Sequence, residues 1–202
     1  KFETFKKIID EGAPKGLKAI NLNNFGESFY NKNLVKMINY AKSKGVLDVM
    51  LHTNGTVMDN KLAEDVVNSG LDRIIFSLDS ISKEIYEKIR VNANFEDTVE
   101  KVKIFFNTRE KMKAKKPIIR VSMVRMKEND HEAKNFEKFW GSYADEITYT
   151  DYRNQDGLDK VYRYSTERKE NKSYACPALW QRMTINVTGE ITACCRDAGK
   201  RL

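Results

Sequence analysis

The chain has 202 residues, of which 41% are hydrophobic and 32% are charged, with 10 glycines and 3 prolines. This composition excludes a disordered tail, a collagen-like repeat and a disulfide miniprotein, and the length suits one domain with a substantial core. The net charge is +7, but lysines alternate with glutamates along the predicted helices, which is typical of solvated helix faces, and we do not expect nucleic acid as a partner.

Apolar runs typical of strands alternate with helical patterns along most of the chain. The five predicted strands are Leu17–Asn23, Leu47–Thr53, Leu71–Asp79, Pro117–Met126 and a last one within DEITYTDY (145–152). The helical patterns between them are NKNLVKMINYAKSKG (31–45), DNKLAEDVVNSG (59–70), a long stretch from Ser82 to about Lys113, and HEAKNFEKFWGSYA (131–144).

Strands separated by helices of this length are expected to pair in parallel. No Gly-rich turn of the dinucleotide-binding type follows any strand, and polar residues collect at several carboxyl ends, so the sequence favours an α/β fold of the partial (β/α) TIM-barrel type over an open doubly wound sheet. We assign residues 1–152 to this domain, 153–175 to a polar linker and 176–202 to a small Cys-containing β-hairpin.

Small polar residues cluster where three of the predicted strands end: residues 23–27 (NNFGE), 52–55 (HTNG) and 77–80 (SLDS). The carboxyl ends of parallel strands meet at one edge of a barrel. Such an edge could hold a ligand that carries both an amine and a carboxylate, with Glu27 accepting from the ammonium and the Ser77 hydroxyl donating to the carboxylate or a ribose. The alternative is that these residues only form turns.

The sequence identifies no catalytic acid, base or nucleophile. There is no Ser/His/Asp or paired-carboxylate signature, and only 2 histidines are present. We interpret His52 as a rim or packing residue near a strand end and His131 as a surface residue near a helix start.

The end of the chain is predicted to be a hairpin flanked by cysteines. TINV (184–187) and EITA (190–193) are short alternating strands around a turn dipeptide that includes Gly189. Cys176 precedes them and Cys194 and Cys195 follow, in a C-x12-G-x4-C arrangement. The hairpin could bring thiolates together at a soft metal or an iron–sulfur centre. Buried free cysteines are the alternative.

FGES after the first strand, TNG after the second, SLD in the third and the cysteine hairpin together resemble the radical S-adenosylmethionine (SAM) superfamily, in the subgroup with a SPASM or twitch auxiliary-cluster domain. The resemblance implies that residues 176–202 begin an auxiliary iron–sulfur domain. Cys176 and Cys194 match its first two ligands, and Cys195 is an adjacent thiol that we group with them as a metal site.

The resemblance also implies a SAM site. It assigns cofactor-binding roles to Gly26, Glu27, Asn54, Ser77, Asp79 and Arg90. Gly26 and Glu27 stand in the family's Gly-Gly-Glu-Pro motif, which binds the methionine amino group, although Phe25 replaces the first glycine and Ser28 replaces the proline.

The family's C-x3-C-x2-C loop, which binds a [4Fe-4S] cluster, is absent from the 202 residues. We expect the chain to be a fragment, inactive alone, with the cluster loop before Lys1 and further auxiliary ligands after Leu202. The whole protein would then be a cytoplasmic oxidoreductase or maturase that uses SAM, the [4Fe-4S] cluster and an auxiliary iron–sulfur cluster.

The resemblance implies that such an enzyme generates a 5′-deoxyadenosyl radical and abstracts hydrogen from a peptide, protein or small-molecule substrate. An electron donor such as flavodoxin or ferredoxin would be its partner, and no membrane partner is expected, since no apolar run approaches the roughly 20 residues needed to cross a bilayer. The alternative is a non-enzymatic β/α binding protein with a structural metal site at the cysteines.

Overall fold

The computed structural model describes residues 1–152 and 177–192. Its centre is a five-stranded parallel sheet whose strands lie side by side in chain order. These strands are β1 (Ala19–Asn21), β2 (Asp48–Thr53), β3 (Arg73–Ser77), β4 (Ile118–Arg125) and β5 (Glu146–Asp151). Within the described residues the sheet is open between β1 and β5, so the α/β fold is a partial barrel, as the sequence predicts.

Helices precede, connect and follow the strands of the sheet. They are α1 (Phe2–Gly12), α2 (Leu34–Ser43), α3 (Asn60–Asn68), α4 (Lys83–Ile89), α5 (Phe95–Lys111), α6 (Ala133–Trp140) and α7 (Ala178–Gln181). Short 3-10 turns cover Ala13–Lys15, Ser28–Tyr30 and Asp130–Glu132. In residues 1–152 and 177–192, none of the helices has both the length and the apolarity that a bilayer crossing requires.

The long helix predicted from Ser82 to about Lys113 is wrong in one respect, because it is two helices. Asn92 has a positive φ of 66°, which an α-helix does not accommodate. Two residues later the side chain of Asn94 accepts a hydrogen bond from the Asp97 amide at 2.8 Å, which begins α5 as an N-cap. The sequence analysis also did not predict α1.

The hydrophobic core lies between the helices and one face of the sheet. Burial alternates along β2, where Val49 and Leu51 are fully buried while Met50 and His52 are half-buried. This period of two is expected for a strand with one covered face. The core residues contributed by the helices include Ile38, Ala41, Ala63, Val66, Val102, Phe105, Phe136 and Trp140.

The opposite face of the sheet, which we call the inner face, is mostly polar, although the buried Ile75 also lies on it. Alternation and strand register place His52, Ser77, Arg120 and Ser122 on it. Arg120 donates from Nε and Nη2 to Oε2 of Glu146 on the neighbouring strand, at 2.7 and 2.5 Å. A polar inner face is consistent with a surface that binds a ligand rather than with a second packed layer.

The predicted hairpin is confirmed. β6 (Thr184–Ile185) and β7 (Ile191–Thr192) pair in antiparallel fashion around Gly189, whose φ is +93°. The predicted linker and the three cysteines, Cys176, Cys194 and Cys195, lie outside the described residues.

Candidate functional site

The carboxylate of Glu27 joins the ends of β1 and β2. Glu27 follows β1, and its Oε1 accepts from the Phe29 amide at 3.1 Å and from the Thr53 hydroxyl at 2.8 Å. Its Oε2 accepts from the Asn54 amide at 2.7 Å. Each carboxylate oxygen can accept two hydrogen bonds. Oε1 is therefore satisfied by these donors, while Oε2 has one acceptor position left.

Gly26 gives the loop its shape. Its φ is +83°, in the region that side chains rarely adopt, and a Cβ placed there would meet nothing within 4 Å. Ser28 closes the loop from the other side by donating to the Leu22 carbonyl at 2.9 Å. The chain thereby turns back after β1 and presents Glu27 to β2.

The loop after β2 is fixed by its own side chains. Thr53 is 3% exposed, and its hydroxyl also accepts from the Gly55 amide at 3.0 Å. The Asn54 side chain accepts from the amide and hydroxyl of Thr56, at 2.9 and 2.7 Å. Asn54 thus contacts Glu27 through its backbone, and its side chain shapes the turn.

Gly55 lies against helix α5. Its φ is +80°, and a Cβ there would lie 2.6 Å from Cγ2 of Val102. On the same helix, Lys101 donates from Nζ to the Thr56 carbonyl at 2.8 Å. The loop after β2 is therefore held between Glu27 and α5.

The end of β3 brings Ser77 and Asp79 to the same edge. Since Thr53 pairs with Phe76 in the parallel register, Asn54 lies beside Ser77. The Ser77 hydroxyl is half-buried and lies 3.5 Å from the Ser122 hydroxyl on β4. Ser77 therefore remains available for further hydrogen bonds on the inner face.

Asp79 and Arg90 form an ion pair. Asp79 is 3% exposed; its Oδ2 accepts from Nε of Arg90 at 2.8 Å and lies 2.5 Å from Nη2 in an ion pair, and its Oδ1 accepts from the Val124 amide at 2.8 Å. A carboxylate with these partners is a structural group rather than a free ligand-binding group. Arg90, whose side chain is 30% exposed, keeps the outer edge of its guanidinium free of partners among the described residues.

His52 lies on the inner face below this edge. Burial lowers its pKa below the usual value, and the positive charge of Arg120 lowers it further. The imidazole is therefore neutral near pH 7. This agrees with the interpretation of His52 as a rim residue, and His131 is exposed beside the start of α6, as predicted.

The sequence analysis listed Thr53 at a strand end without giving it a role and missed Asn129, and the structure connects both to the site. Thr53 occupies a position in β2 where the alternating pattern predicts a buried packing residue, so the sequence gives no indication of its hydrogen bond to Glu27. Asn129 is fully buried and donates to the Asp79 carbonyl at 2.7 Å. It lies 50 residues from its partner in the chain, so only the tertiary fold reveals the contact.

The cysteine prediction cannot be placed on this geometry, because Cys176, Cys194 and Cys195 lie outside the described residues. Among the residues that are described, no group of three or more His, Cys, Asp or Glu side chains could hold a metal ion. The hairpin itself lies near the loop after β1, since Asn24 Nδ2 is 3.3 Å from Asn186 Oδ1.

Comparison with known proteins shows the family to which the chain belongs. A family model described as the Radical SAM superfamily matches residues 1–139. The probable GTP 3′,8-cyclase of Methanococcus maripaludis is 32% identical over 90 residues, which are 45% of this chain and 30% of that protein. The GTP 3′,8-cyclase of Thermodesulfovibrio yellowstonii is 30% identical over 137 residues, which are 67% of this chain and 40% of that protein. The chain thus spans less than half the length of these relatives.

Solved structures share the fold. Streptococcus suis SuiB matches with a TM-score of 0.64 at 13% sequence identity, over 79% of this chain and 35% of that chain. Methylornithine synthase (PylB) matches with a TM-score of 0.61 at 16% identity, over 82% of this chain and 49% of that chain. Identities this low show a common fold and carry no information about substrate.

Proposed function

Since this chain belongs to the Radical SAM superfamily, we propose that it is part of an enzyme that binds S-adenosylmethionine at the carboxyl edge of β1 to β3. On one-electron reduction by the proposed electron donor, SAM bound there would give methionine and a 5′-deoxyadenosyl radical, which would abstract hydrogen from a peptide, protein or small-molecule substrate. The residues of this chain bind and orient the cofactor and substrate, and we assign none of them to acid–base catalysis.

The observation that carries the proposal is the carboxylate of Glu27. Internal donors fix its orientation, and one acceptor position remains on Oε2. A fixed, ionised acceptor of this kind suits one N–H of an ammonium group, such as the methionine amino group of SAM. The site is assembled before the ligand arrives, so little ordering is needed on binding.

Other groups at the edge fit the remaining polar groups of SAM. The Ser77 hydroxyl can donate to the carboxylate or ribose, and the free edge of the Arg90 guanidinium suits a carboxylate. Asn23 Oδ1 is buried with no hydrogen-bond partner among the described residues, so it is an acceptor that a ligand donor would satisfy. We assign Asp79 to holding Arg90, and Gly26 and Asn54 to shaping the loops around Glu27.

The 202 residues contain no C-x3-C-x2-C motif, so they do not provide the ligands of a radical-generating cluster and we derive no step through it. We propose that Cys176, Cys194 and Cys195 belong to an auxiliary iron–sulfur site. Cys176→Ala should lower the iron content of anaerobically purified protein, and unchanged iron content would contradict this assignment.

The relatives named GTP 3′,8-cyclase make GTP the first small molecule to test. Flavodoxin or ferredoxin is the proposed electron donor, and the cytoplasm is the proposed location.

Equilibrium dialysis of the chain against radiolabelled SAM tests the cofactor site. Glu27→Gln keeps the shape of the side chain but removes the charge that pairs with the ammonium, and we expect the dissociation constant to rise by about tenfold or more. Glu64→Gln, on the exposed surface of α3, is the matched control and should bind as the unchanged chain does. Failure of the unchanged chain to bind SAM, or equal binding by Glu27→Gln, would refute the proposed site.

A further inference from the structure

The turn after β3 has an unusual backbone. The Ser80 amide donates to the Leu78 carbonyl at 2.8 Å, which closes a tight turn with Asp79 at its centre. The φ of Asp79 is +60°, in the left-handed region that side chains rarely adopt. Such a conformation persists only where surrounding contacts hold it, and these turns often occur at functional sites.

Asn129 supplies those contacts from the loop after β4. Its side chain is 0% exposed. Nδ2 donates to the Asp79 carbonyl at 2.7 Å and to the Val124 carbonyl at 2.8 Å, and Oδ1 accepts from the Met126 amide at 2.7 Å. Both amide hydrogens are therefore used to join the turn after β3 to the end of β4.

The same two elements are joined again by Asp79 itself. Its Oδ1 accepts from the Val124 amide at 2.8 Å. The two polar backbone groups of Val124 therefore both form hydrogen bonds here, the carbonyl with Asn129 and the amide with Asp79. With the backbone of Asp79 and one carboxylate oxygen fixed, the second oxygen has a defined direction. That oxygen accepts a hydrogen bond from Nε of Arg90 and forms the ion-pair contact with Nη2.

We infer that Asn129 is a positioning residue that, through the turn at Asp79, orients the guanidinium of Arg90 toward an anionic group bound at the carboxyl edge. The identity of that group as the SAM carboxylate rests on the function proposed above. Asn129 does not contact the ligand in this inference, since its hydrogen-bonding groups are directed at the backbone. Because Asp79 already fixes one edge of the guanidinium, the Arg90 side chain loses little further rotamer freedom when its other edge binds a ligand.

Glu132 provides a matched control. It is 6% exposed, lies in the same loop and accepts from the Ser80 hydroxyl and from the Ile81 amide at 3.3 Å. Glu132 therefore also joins the loop after β4 to the turn after β3, but its contacts begin at Ser80 and it forms no hydrogen bond with Asp79 or Arg90. Glu132→Ala should destabilise the fold as Asn129→Ala does but leave Arg90 in place.

The test follows the Arg90 Nε–H proton by NMR, with its signal assigned from Arg90→Lys. We expect Asn129→Ala to accelerate exchange of this proton with water by about tenfold, toward the rate in Asp79→Asn, because opening of the turn frees the guanidinium. Glu132→Ala should leave the exchange rate unchanged. If Asn129→Ala does not fold by circular dichroism, Asn129→Ser, which keeps one short donor, replaces it.

Dialysis against SAM on the same samples separates this inference from the proposed function. We expect Asn129→Ala to weaken SAM binding by about tenfold and Glu132→Ala to leave it unchanged. An unchanged Arg90 exchange rate in Asn129→Ala, or equal acceleration in both variants, would overturn the positioning role. If Arg90 Nε–H exchange is accelerated in Asn129→Ala but not in Glu132→Ala, the positioning role is supported. If, in addition, the unchanged chain does not bind SAM, the proposed function is refuted while the positioning role stands.

Discussion

Replacing Gly55 with alanine separates the two reasons why glycine occupies the loop after β2. The first is conformational, because the φ of +80° disfavours any L-residue by about 1–2 kcal/mol. The second is steric, because the new Cβ would lie 2.6 Å from Cγ2 of Val102. Overpacking of this kind typically costs a further 1–3 kcal/mol. We therefore expect Gly55→Ala to lower the free energy of unfolding by about 2–5 kcal/mol.

Gly26→Ala isolates the conformational part. Gly26 has nearly the same φ, +83°, but its added Cβ would meet nothing within 4 Å. We expect this variant to lose only about 1–2 kcal/mol. Urea unfolding followed by circular dichroism measures both variants, and the difference between them reports the contact with Val102.

A double variant tests that contact directly. Val102→Ala is destabilising alone because Val102 is fully buried. In combination with Gly55→Ala it removes the atom that the new Cβ would meet, so the double variant should be more stable than the sum of the single losses predicts. Equal losses for Gly55→Ala and Gly26→Ala, with additive behaviour in the double variant, would refute the packing of this loop on α5.

Three further variants probe the site and its surroundings. Thr53→Val keeps the volume but removes the hydroxyl that donates to Glu27, and we expect a loss of about 1–3 kcal/mol in urea unfolding together with weaker SAM binding in dialysis. Burial lowers the pKa of His52, so the stability should fall as the pH decreases through the ordinary histidine value of about 6.5, and His52→Gln should reduce that slope. Burial raises the pKa of Asp145, but hydrogen bonds led by that from Arg109 outweigh it and the net pKa is lowered. The ionised Asp145 carboxylate therefore stabilises the fold at pH values above the usual carboxyl pKa, and this contribution is lost as the pH falls through the lowered pKa. In Asp145→Asn, the urea concentration at the unfolding midpoint should therefore depend less on pH in the acid range.

The alternation of strands and helices was predictable from the sequence because each element buries one face. The repeat of buried residues in β2 comes from a single covered face, and Val49 and Leu51 mark it in the sequence. The polar strand ends were also predictable, since the carboxyl edge of a parallel sheet is where loops converge. The break at Asn92 was missed, because helical periodicity continues on both sides of it.

The hydrogen bonds within the site were not predictable in the same way. Nothing in the sequence distinguishes Asp79, which is used internally, from Glu27, which keeps a free acceptor position. Their difference depends on partners far away in the chain, Val124 and Asn129 for Asp79 and Thr53 for Glu27. Such pairings arise from strand register and loop packing, which a single sequence does not encode locally.

Acidic side chains accept from backbone amides at both edges of the sheet, and Asp79 at the carboxyl edge also pairs with Arg90, so what distinguishes Glu27 is that it has no basic partner among the described residues. At the amino edge, Asp72 donates its amide to the Val49 carbonyl and accepts from the Val49 amide, both at 2.9 Å. Asp145 does the same to Ile119 on β4, two strands further along, at 2.9 and 2.7 Å. Both carboxylates also bind basic side chains, so they serve stability. At the carboxyl edge Glu27 is oriented by similar backbone donors but no basic side chain neutralises it among the described residues, which leaves its charge for a cationic ligand.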